Sequence, residues 1–189
     1  MTEEEAGSLE PQDDQCTAST ARPIALVGLM GVGKTTVGRR LAAQLKVSFI
    51  DADAAIEEAA QLSISEIFDA FGEAYFRDGE RRVISRLLQE GAGVIATGGG
   101  AFCQLETRRL LLDKARVVWL DCDVETLVER TGRRDTRPLL RGRDRREVLA
   151  RLAAERRPLY AEAHVHVRTQ GGPHSRTVAA ILGALDGCQ

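Results

Sequence analysis

The segment GLMGVGKTT, from Gly28 to Thr36, follows the apolar run IALV and precedes a stretch with helical periodicity. It fits the pattern G-x-x-x-x-G-K-[ST], which requires this order of strand, loop and helix. Glycines let backbone N–H groups turn towards phosphate oxygens, and the helix start adds its positive end. Lys34 can bridge the outer phosphates, and the Thr35 hydroxyl can bind Mg²⁺. The segment predicts a nucleoside triphosphate site whose contacts are Gly31, Val32, Gly33, Lys34, Thr35 and Thr36.

Predicted strands and helices alternate along the chain after residue 23. Apolar runs predict five strands, with sequences IALVG, VSFID, VIAT, RVVWLD and HVHV. Helical patterns cover residues 34–45, 54–71, 73–89, 105–112, 124–130, 146–157 and 177–185. This alternation is typical of a three-layer α/β fold, here of the P-loop nucleoside-triphosphate-hydrolase type, with a mainly parallel five-stranded sheet and helices on both faces. Ligands are expected at the carboxyl ends of the strands.

The composition indicates one domain preceded by a short extension. Residues 1–22 are polar and acidic, which predicts a disordered extension, and residues 23–189 are long enough for a single domain with a substantial core. No apolar run approaches the about 20 residues of a membrane-spanning helix, and the acidic start does not resemble a signal peptide. We therefore expect a cytoplasmic protein with no membrane partner. The four scattered cysteines predict neither a disulfide framework nor a structural metal site.

Two aspartates, Asp51 and Asp53, stand at the end of the second predicted strand. Residues two apart in an extended chain point to the same face, so both carboxylates are expected to face the bound phosphates. One could serve a metal ion, and the other could orient an acceptor hydroxyl and take its proton. The alternative is that one of them only caps the following helix.

Arg77 and Glu80 are three residues apart on a predicted helix and can form an ion pair. If the neighbouring Phe76 indicates partial burial, the pair could aim the guanidinium at an anionic ligand. The alternative is an ordinary exposed pair that contributes little.

Three consecutive glycines, Gly98, Gly99 and Gly100, follow the third predicted strand. No lysine follows them, so they cannot form a second loop of the first kind. Our interpretation is that the missing side chains let backbone N–H groups approach the acceptor and the γ-phosphate closely. Thr97 occupies the strand end where many phosphate-loop enzymes carry a metal-binding aspartate, which leaves Asp51 as the metal candidate.

Eight arginines lie between residues 130 and 146, in a segment without helical or strand periodicity. This pattern predicts a mobile lid over about residues 131–146, which closes over the triphosphate and supplies an arginine to the developing charge. The alternative is a nucleic-acid patch, although the segment has no aromatic residue for base stacking. The three histidines form no metal-binding or catalytic arrangement in the sequence, and we assign them no role.

Several motifs occur in one order: GLMGVGKTTVGRRLA, FIDADAAIE, ISEIFDAFGEAYFRDGE, VIATGGGAF, VVWLD, TRPLL and RRPLYAEAH. In this order the chain resembles the shikimate kinase family, from about residue 23 to residue 185. The resemblance implies a fold similar to the nucleoside monophosphate kinases. It also implies transfer of the γ-phosphate of ATP to the 3-hydroxyl of shikimate, with ATP and Mg²⁺ as cofactors.

The resemblance implies roles for four residues that would bind shikimate. Asp53 would hold shikimate hydroxyls and act on the attacking one. Arg77 and Arg156 would clamp the carboxylate, and Glu80 would orient Arg77.

The resemblance implies a second set of roles on the nucleotide side. Thr35 would bind Mg²⁺ directly and Asp51 would reach it through water. Lys34 and the lid residue Arg137 would hold the transferring phosphoryl group, and Arg130 would pack on adenine.

Two alternatives to this interpretation remain open. One is another small-molecule kinase such as gluconate kinase, which shares the phosphate loop. The other is a non-catalytic nucleotide-binding or RNA-binding module that uses the arginine-rich segment. We expect a monomer with a small-molecule substrate and no nucleic-acid partner.

Overall fold

The computed structural model of the chain describes residues 22–132, 144–169 and 172–186. The strands are β1 (Ile24–Val27), β2 (Phe49–Asp51), β3 (Val94–Ala96), β4 (Arg116–Asp121) and β5 (Val165–Arg168). The helices are α1 (Lys34–Leu45), α2 (Ala52–Ala60), α3 (Ile64–Gln89), α4 (Leu105–Lys114), α5 (Val124–Gly132), α6 (Arg145–Tyr160) and α7 (His174–Asp186). A 3₁₀ turn, Ala101–Cys103, lies between β3 and α4.

The strands form one sheet in the order β2-β3-β1-β4-β5, and every neighbouring pair is parallel. Central β1 pairs with β3 on one side and with β4 on the other. The predicted α/β fold with a five-stranded parallel sheet is therefore confirmed. All the loops that follow the strands meet at one edge of the sheet, where the two glycine-rich segments also lie.

The sheet is covered on both faces at its centre. Every residue of β1 and β3 is buried, and because successive side chains point to opposite faces, both faces must be packed against other elements. β5 alternates buried and exposed residues, as an edge strand with one open face does. A smaller apolar cluster of Ile56, Ile67 and Phe76 joins α2 to α3 beside the sheet.

The helices after β2 differ from those predicted. The helical conformation is interrupted at residues 61–63, between α2 and α3. Ser63 and Glu66 form a capping box at the start of α3. The second predicted break, at Gly72, is a kink within α3, because this glycine adopts φ 79° and ψ 174°. The predictions of helices over 54–71 and 73–89 therefore placed the main break in the wrong position.

The prediction that the sixth helix ends at Pro158 is wrong, since α6 continues to Tyr160. Proline removes one backbone hydrogen bond and usually ends a helix. Here the last turn is held by packing, because the buried Tyr160 ring stacks against Phe102 and Trp119. Burial of the aromatic ring of Tyr160 offsets the cost of the proline inside the helix.

Three predictions concern residues that lie partly or wholly outside the described ranges. The predicted extension over residues 1–22 is described only at Arg22, and Arg137 is not described. The predicted lid over about residues 131–146 lies mostly outside the described ranges; at its ends, Thr131 and Gly132 belong to α5 and Arg145 begins α6. Within the described ranges, the helices are too short or too polar to cross a lipid bilayer.

Candidate active site

A pocket of about 340 Å³ opens at the carboxyl edge of the sheet. This volume suits a small-molecule ligand. The residues that line it come from the loop after β1 and the start of α1, from the end of β2 and the start of α2, from the segment after β3, and from α5 and α7: Gly31, Gly33, Lys34, Thr35, Thr36, Asp51, Asp53, Thr97, Gly99, Arg130, Thr131 and His174. Sequence reasoning thus named most of the lining, but it gave no role to Thr131 or His174.

The loop after β1 has the conformation that its glycines predict. Gly33 adopts φ 100° immediately before α1, a left-handed conformation that side chains disfavour. The Lys34 ammonium donates to the carbonyl oxygens of Gly28 (2.7 Å) and Leu29 (3.1 Å) and so closes the loop on itself. Val32 is buried, and its carbonyl accepts a hydrogen bond from Arg130 at 3.2 Å. We refer to residues 28–35 as the P-loop.

Asp51 connects the P-loop to α2. The Thr35 hydroxyl donates to Asp51 Oδ2 at 2.7 Å, and the backbone N–H of Asp53 donates to Asp51 Oδ1 at 3.1 Å. Asp51 is therefore the N-cap of α2 and also a neighbour of the phosphate site. The capping alternative and the functional hypothesis are compatible at this residue.

Asp53 reaches the pocket by a different route from the one predicted. β2 ends at Asp51 and Asp53 lies in the first turn of α2, so the two residues do not share one face of an extended strand. Both nevertheless line the pocket. The helix turn, and not strand alternation, brings the two carboxylates together.

Arg77 and Glu80 form a buried ion pair on α3. Arg77 Nη1 donates to Glu80 Oε2 at 2.8 Å, and the Glu80 side chain is 1% exposed. Glu73, which sequence reasoning did not single out, accepts from Arg77 Nε and Nη2 at 3.2 and 3.1 Å. The alternative of an exposed pair at this position is therefore wrong.

Burial and neighbouring charges both shift the pKa values of this pair. Burial raises the pKa of Glu80, Arg77 opposes that rise, and the nearby Asp53 carboxylate adds to it. Burial alone would lower the pKa of Arg77, but Glu80 and Glu73 raise it above its ordinary value. Glu80 Oε1 accepts no hydrogen bond from the part of the chain that the structure describes, although it is buried. A buried acceptor of this kind suits a hydroxyl donor from a ligand.

Replacing Glu80 with glutamine should change how stability depends on pH. Because the folded-state pKa of Glu80 is raised, the wild type is most stable relative to Glu80→Gln below about pH 4.5, the unfolded value. This relative stability is lost as the pH rises through the folded pKa, by at most about 1.4 kcal/mol per pH unit. Urea unfolding of both proteins from about pH 4.5 to about pH 7.5 measures the difference. A difference that does not change with pH would contradict the burial argument.

The three glycines after β3 make room for the chain's own side chains. A Cβ atom at Gly98 would lie 2.7 Å from Asp53 Oδ1 and 2.8 Å from Glu80 Oε1. A Cβ atom at Gly100 would lie 2.6 to 3.0 Å from three atoms of the Arg77 guanidinium. These glycines therefore bring two carboxylates and an arginine against one short segment of backbone.

The middle glycine anchors α6. The Gly99 carbonyl accepts hydrogen bonds from Arg156 Nη1, at 2.9 Å, and from the Tyr160 hydroxyl. Arg157, the next residue, pairs with Asp121 at the end of β4 at 3.1 Å. Arg156 and Arg77 thus contact neighbouring glycines from two different helices.

This geometry defines a class of protein. The P-loop and two carboxylates line one pocket, and Arg77 and Arg156 lie beside the glycine segment that follows β3, an arrangement suited to phosphoryl transfer to a small molecule. The fold and the site are those of an ATP-dependent small-molecule kinase of the P-loop type.

The comparisons with known proteins identify the family. Residues 30–186 match the family model described as shikimate kinase. A shikimate kinase of Novosphingobium aromaticivorans is 54% identical over 177 residues, which cover 92% of this chain and 92% of that protein. The structure is also similar to that of the shikimate kinase from Acinetobacter baumannii in complex with shikimate, with a TM-score of 0.85 and 40% identity over 89% of this chain and 94% of that one. The chain belongs to the shikimate kinase family.

A gluconokinase from Sinorhizobium meliloti is a more distant structural neighbour. Its TM-score is 0.60 and its sequence identity is 18%, over 88% of this chain and 92% of that one. This likeness shows a shared fold alone.

Proposed function

We propose that the protein transfers the γ-phosphate of ATP to the 3-hydroxyl of shikimate, which gives shikimate 3-phosphate and ADP. The observation that carries the proposal is the arrangement around Gly98. There, Asp53 and Glu80 approach the same backbone segment, with Asp53 lining the P-loop pocket and Glu80 bound to Arg77. An acceptor in this position would present a hydroxyl towards the triphosphate and a carboxylate towards the arginines.

Asp53 is proposed as the residue that acts on the attacking hydroxyl. A carboxylate within hydrogen-bonding reach of a hydroxyl fixes its direction and accepts its proton as the phosphoryl group transfers. Glu80 Oε1, which lies beside Asp53 across Gly98, offers a second acceptor for a ring hydroxyl. A polyol ring matches an acceptor on the pocket wall, Asp53, with a second acceptor, Glu80 Oε1, close beside it.

Arg77 and Arg156 are proposed to bind the shikimate carboxylate. Arginine pairs with carboxylates through two parallel hydrogen bonds, which fix direction as well as charge. Glu80 and Glu73 hold the Arg77 guanidinium from two sides, and the Gly99 carbonyl holds that of Arg156. Both guanidinium groups are therefore positioned before the substrate arrives.

Lys34 and the P-loop backbone are proposed to hold the transferring phosphoryl group, and Arg137 and Arg130 remain proposed contacts of the phosphate and of adenine. Transfer of a phosphoryl group depends on positioning and on neutralising charge at its oxygens. The Lys34 ammonium donates hydrogen bonds to two P-loop carbonyls, which hold it beside the proposed phosphate site.

Thr35 and Asp51 are the proposed residues for Mg²⁺. A hydroxyl and a carboxylate 2.7 Å apart fit the usual site, in which one or two protein oxygens are completed by phosphates and water. The ion would neutralise charge on the β- and γ-phosphate oxygens. Thr35 would bind it directly, whereas Asp51 would reach it through water.

Thr35→Ala is expected to raise the Mg²⁺ concentration for half-maximal velocity by about tenfold or more, because it removes one oxygen ligand. Thr35→Ser keeps the hydroxyl and serves as the control, with a value close to that of the wild type. Magnesium titrations at saturating ATP and shikimate measure both. Equal values for the alanine variant and the wild type would remove Thr35 from the metal site.

The substrate is tested by adding shikimate or gluconate to the purified full chain with ATP and Mg²⁺. We expect ADP release with shikimate. Release with gluconate but none with shikimate would overturn the proposal. A gel-shift titration tests the RNA-binding alternative, which requires micromolar or tighter binding that weakens steeply with salt.

A cytoplasmic monomer without a nucleic-acid or membrane partner remains part of this proposal. Sedimentation of the active enzyme at assay concentrations tests the oligomeric state. A stable dimer would contradict it.

A further inference from the structure

Tyr160 contacts the wall of the active-site pocket from behind, although sequence reasoning gave it no role. Its side chain is 1% exposed, and its ring stacks on Phe102 and Trp119 with ring centroids 6.2 and 5.9 Å away. Because the ring is packed between other aromatic rings, the direction of its hydroxyl is fixed. That hydroxyl donates to the carbonyl oxygen of Gly99, which lines the pocket.

The Tyr160 hydroxyl keeps the proton that this hydrogen bond needs. Burial raises the pKa of Tyr160, the neighbouring Cys103 thiol adds to the rise, and Arg156, which also bonds to the phenol oxygen, opposes it. A carbonyl oxygen can only accept, so the proton in the bond to Gly99 belongs to the tyrosine. The bond is therefore present throughout the neutral pH range.

Gly99 is packed against the P-loop as well as against α6. A Cβ atom at Gly99 would lie 3.3 Å from the backbone nitrogen of Met30 and 3.8 Å from the Gly28 carbonyl oxygen. Its own carbonyl oxygen accepts from both Arg156 Nη1 and the Tyr160 hydroxyl. A carbonyl oxygen has two lone pairs, so the two donors from α6 satisfy it fully.

Arg156 depends on this arrangement more than Arg77 does. Arg77 is held by the carboxylates of Glu73 and Glu80. Within the described ranges, Arg156 forms no ion pair with a carboxylate, and its guanidinium bonds to two neutral oxygens, those of Gly99 and Tyr160. The Tyr160 hydroxyl contacts both the guanidinium and the carbonyl that holds it, so it is placed to fix the direction of Arg156.

We propose that Tyr160 is a positioning residue for the acceptor, whose hydroxyl fixes the Gly99 carbonyl and the Arg156 guanidinium in the orientation that binds the acceptor carboxylate. Tyr160 acts through these two groups and not on the substrate itself. The inference rests on the proposed function in taking Arg156 as a ligand of that carboxylate.

Tyr160→Phe tests this inference, because it keeps the stacked ring and removes only the hydroxyl. We expect KM for shikimate to rise about threefold to tenfold, the loss that one neutral hydrogen bond brings. The value of kcat should stay within about twofold of the wild type, since the reacting groups are unchanged. ADP affinity, measured by calorimetry without shikimate, should also stay within about twofold, because the variant retains the whole P-loop.

The same substitution in an Arg156→Ala background shows whether Tyr160 acts through Arg156. Two residues that act as a unit have effects that are not additive. Tyr160→Phe should therefore change kcat/KM for shikimate by less than about twofold once Arg156 is absent. A merely structural role would lower kcat/KM by the same factor in both backgrounds.

Tyr75→Phe is the matched control, because Tyr75 is the other tyrosine of the chain and is exposed on α3. It should leave KM for shikimate unchanged. An unchanged KM in Tyr160→Phe, an equal effect in the two backgrounds, or a loss of ADP affinity as large as the rise in KM would overturn the inference. A wild type that does not phosphorylate shikimate would instead contradict the proposed function, and the inference would fall with it.

Discussion

Asp53→Asn is expected to lower kcat by about a hundredfold to ten-thousandfold, the contribution typical of a positioned general base. Asparagine has the shape of aspartate but cannot accept the proton of the attacking hydroxyl. The backbone N–H of Asp53, which bonds to Asp51, is unchanged, so the start of α2 should be preserved. The affinity for ADP should therefore stay within about twofold of the wild type, since the variant retains the whole P-loop.

The rate of ADP release and calorimetric ADP binding measure these two effects. Asp69→Asn is the matched control, because Asp69 is an exposed carboxylate on α3. It should leave both quantities unchanged. A kcat near the wild-type value for Asp53→Asn would remove Asp53 from the mechanism, whereas a loss of ADP binding would show that the variant disturbs the nucleotide site.

Gly100→Ala is expected to raise KM for shikimate by about tenfold to a hundredfold, because a small displacement of a positioning group has a large effect. The new methyl group would lie 2.6 Å from Arg77 Nη2, so the guanidinium must move. The guanidinium lies at the end of a long side chain, so it can shift without the complete loss of its ion pair with Glu80 that Arg77→Ala would cause. ADP affinity should not change, since Gly100 does not line the P-loop pocket.

This variant is a sharper test of the carboxylate site than Arg77→Ala. Removing Arg77 would leave the buried Glu80 carboxylate without its partner, which typically costs about 3 to 5 kcal/mol of stability. Gly79→Ala is the control on the same helix as Arg77, because a Cβ atom there would meet no atom within 4 Å. It should keep the wild-type KM. An unchanged KM in Gly100→Ala would contradict the role of Arg77.

The P-loop could be predicted because its conformation is encoded locally. Gly33 adopts a positive φ, and the loop that contains it lies directly between a buried strand and a helix. The parallel sheet could be predicted for a related reason, since strands alternate with helices along the chain. Where local preference competed with packing, as at Pro158, the sequence predicted the wrong last residue for α6.

The sequence indicated which residues belong to the site better than it indicated how they are arranged. Asp51 and Asp53 were chosen for strand alternation, whereas the first turn of α2 places Asp53 in the pocket. Glu73 was missed although it lies four residues before Arg77 on the same helix, a spacing that could have indicated an ion pair. His174 could not be found in this way, because its position depends on how α7 packs against α1.

The triple glycine illustrates the difference between a motif and its physical reason. The sequence suggested that its backbone approaches the ligands, and that remains a prediction. The structure adds that Gly98 and Gly100 give space to Asp53, Glu80 and Arg77. A glycine can thus serve a site by admitting other side chains as well as by admitting a ligand.

The position of the transferred phosphate tests the central claim most directly. The full chain is incubated with ATP, Mg²⁺ and shikimate, and the product is examined by NMR correlation between phosphorus and the ring protons. The proposed function predicts one product, with phosphorus coupled to the proton on carbon 3. Phosphorus coupled to another ring position, or ADP release without a phosphorylated shikimate, would contradict it.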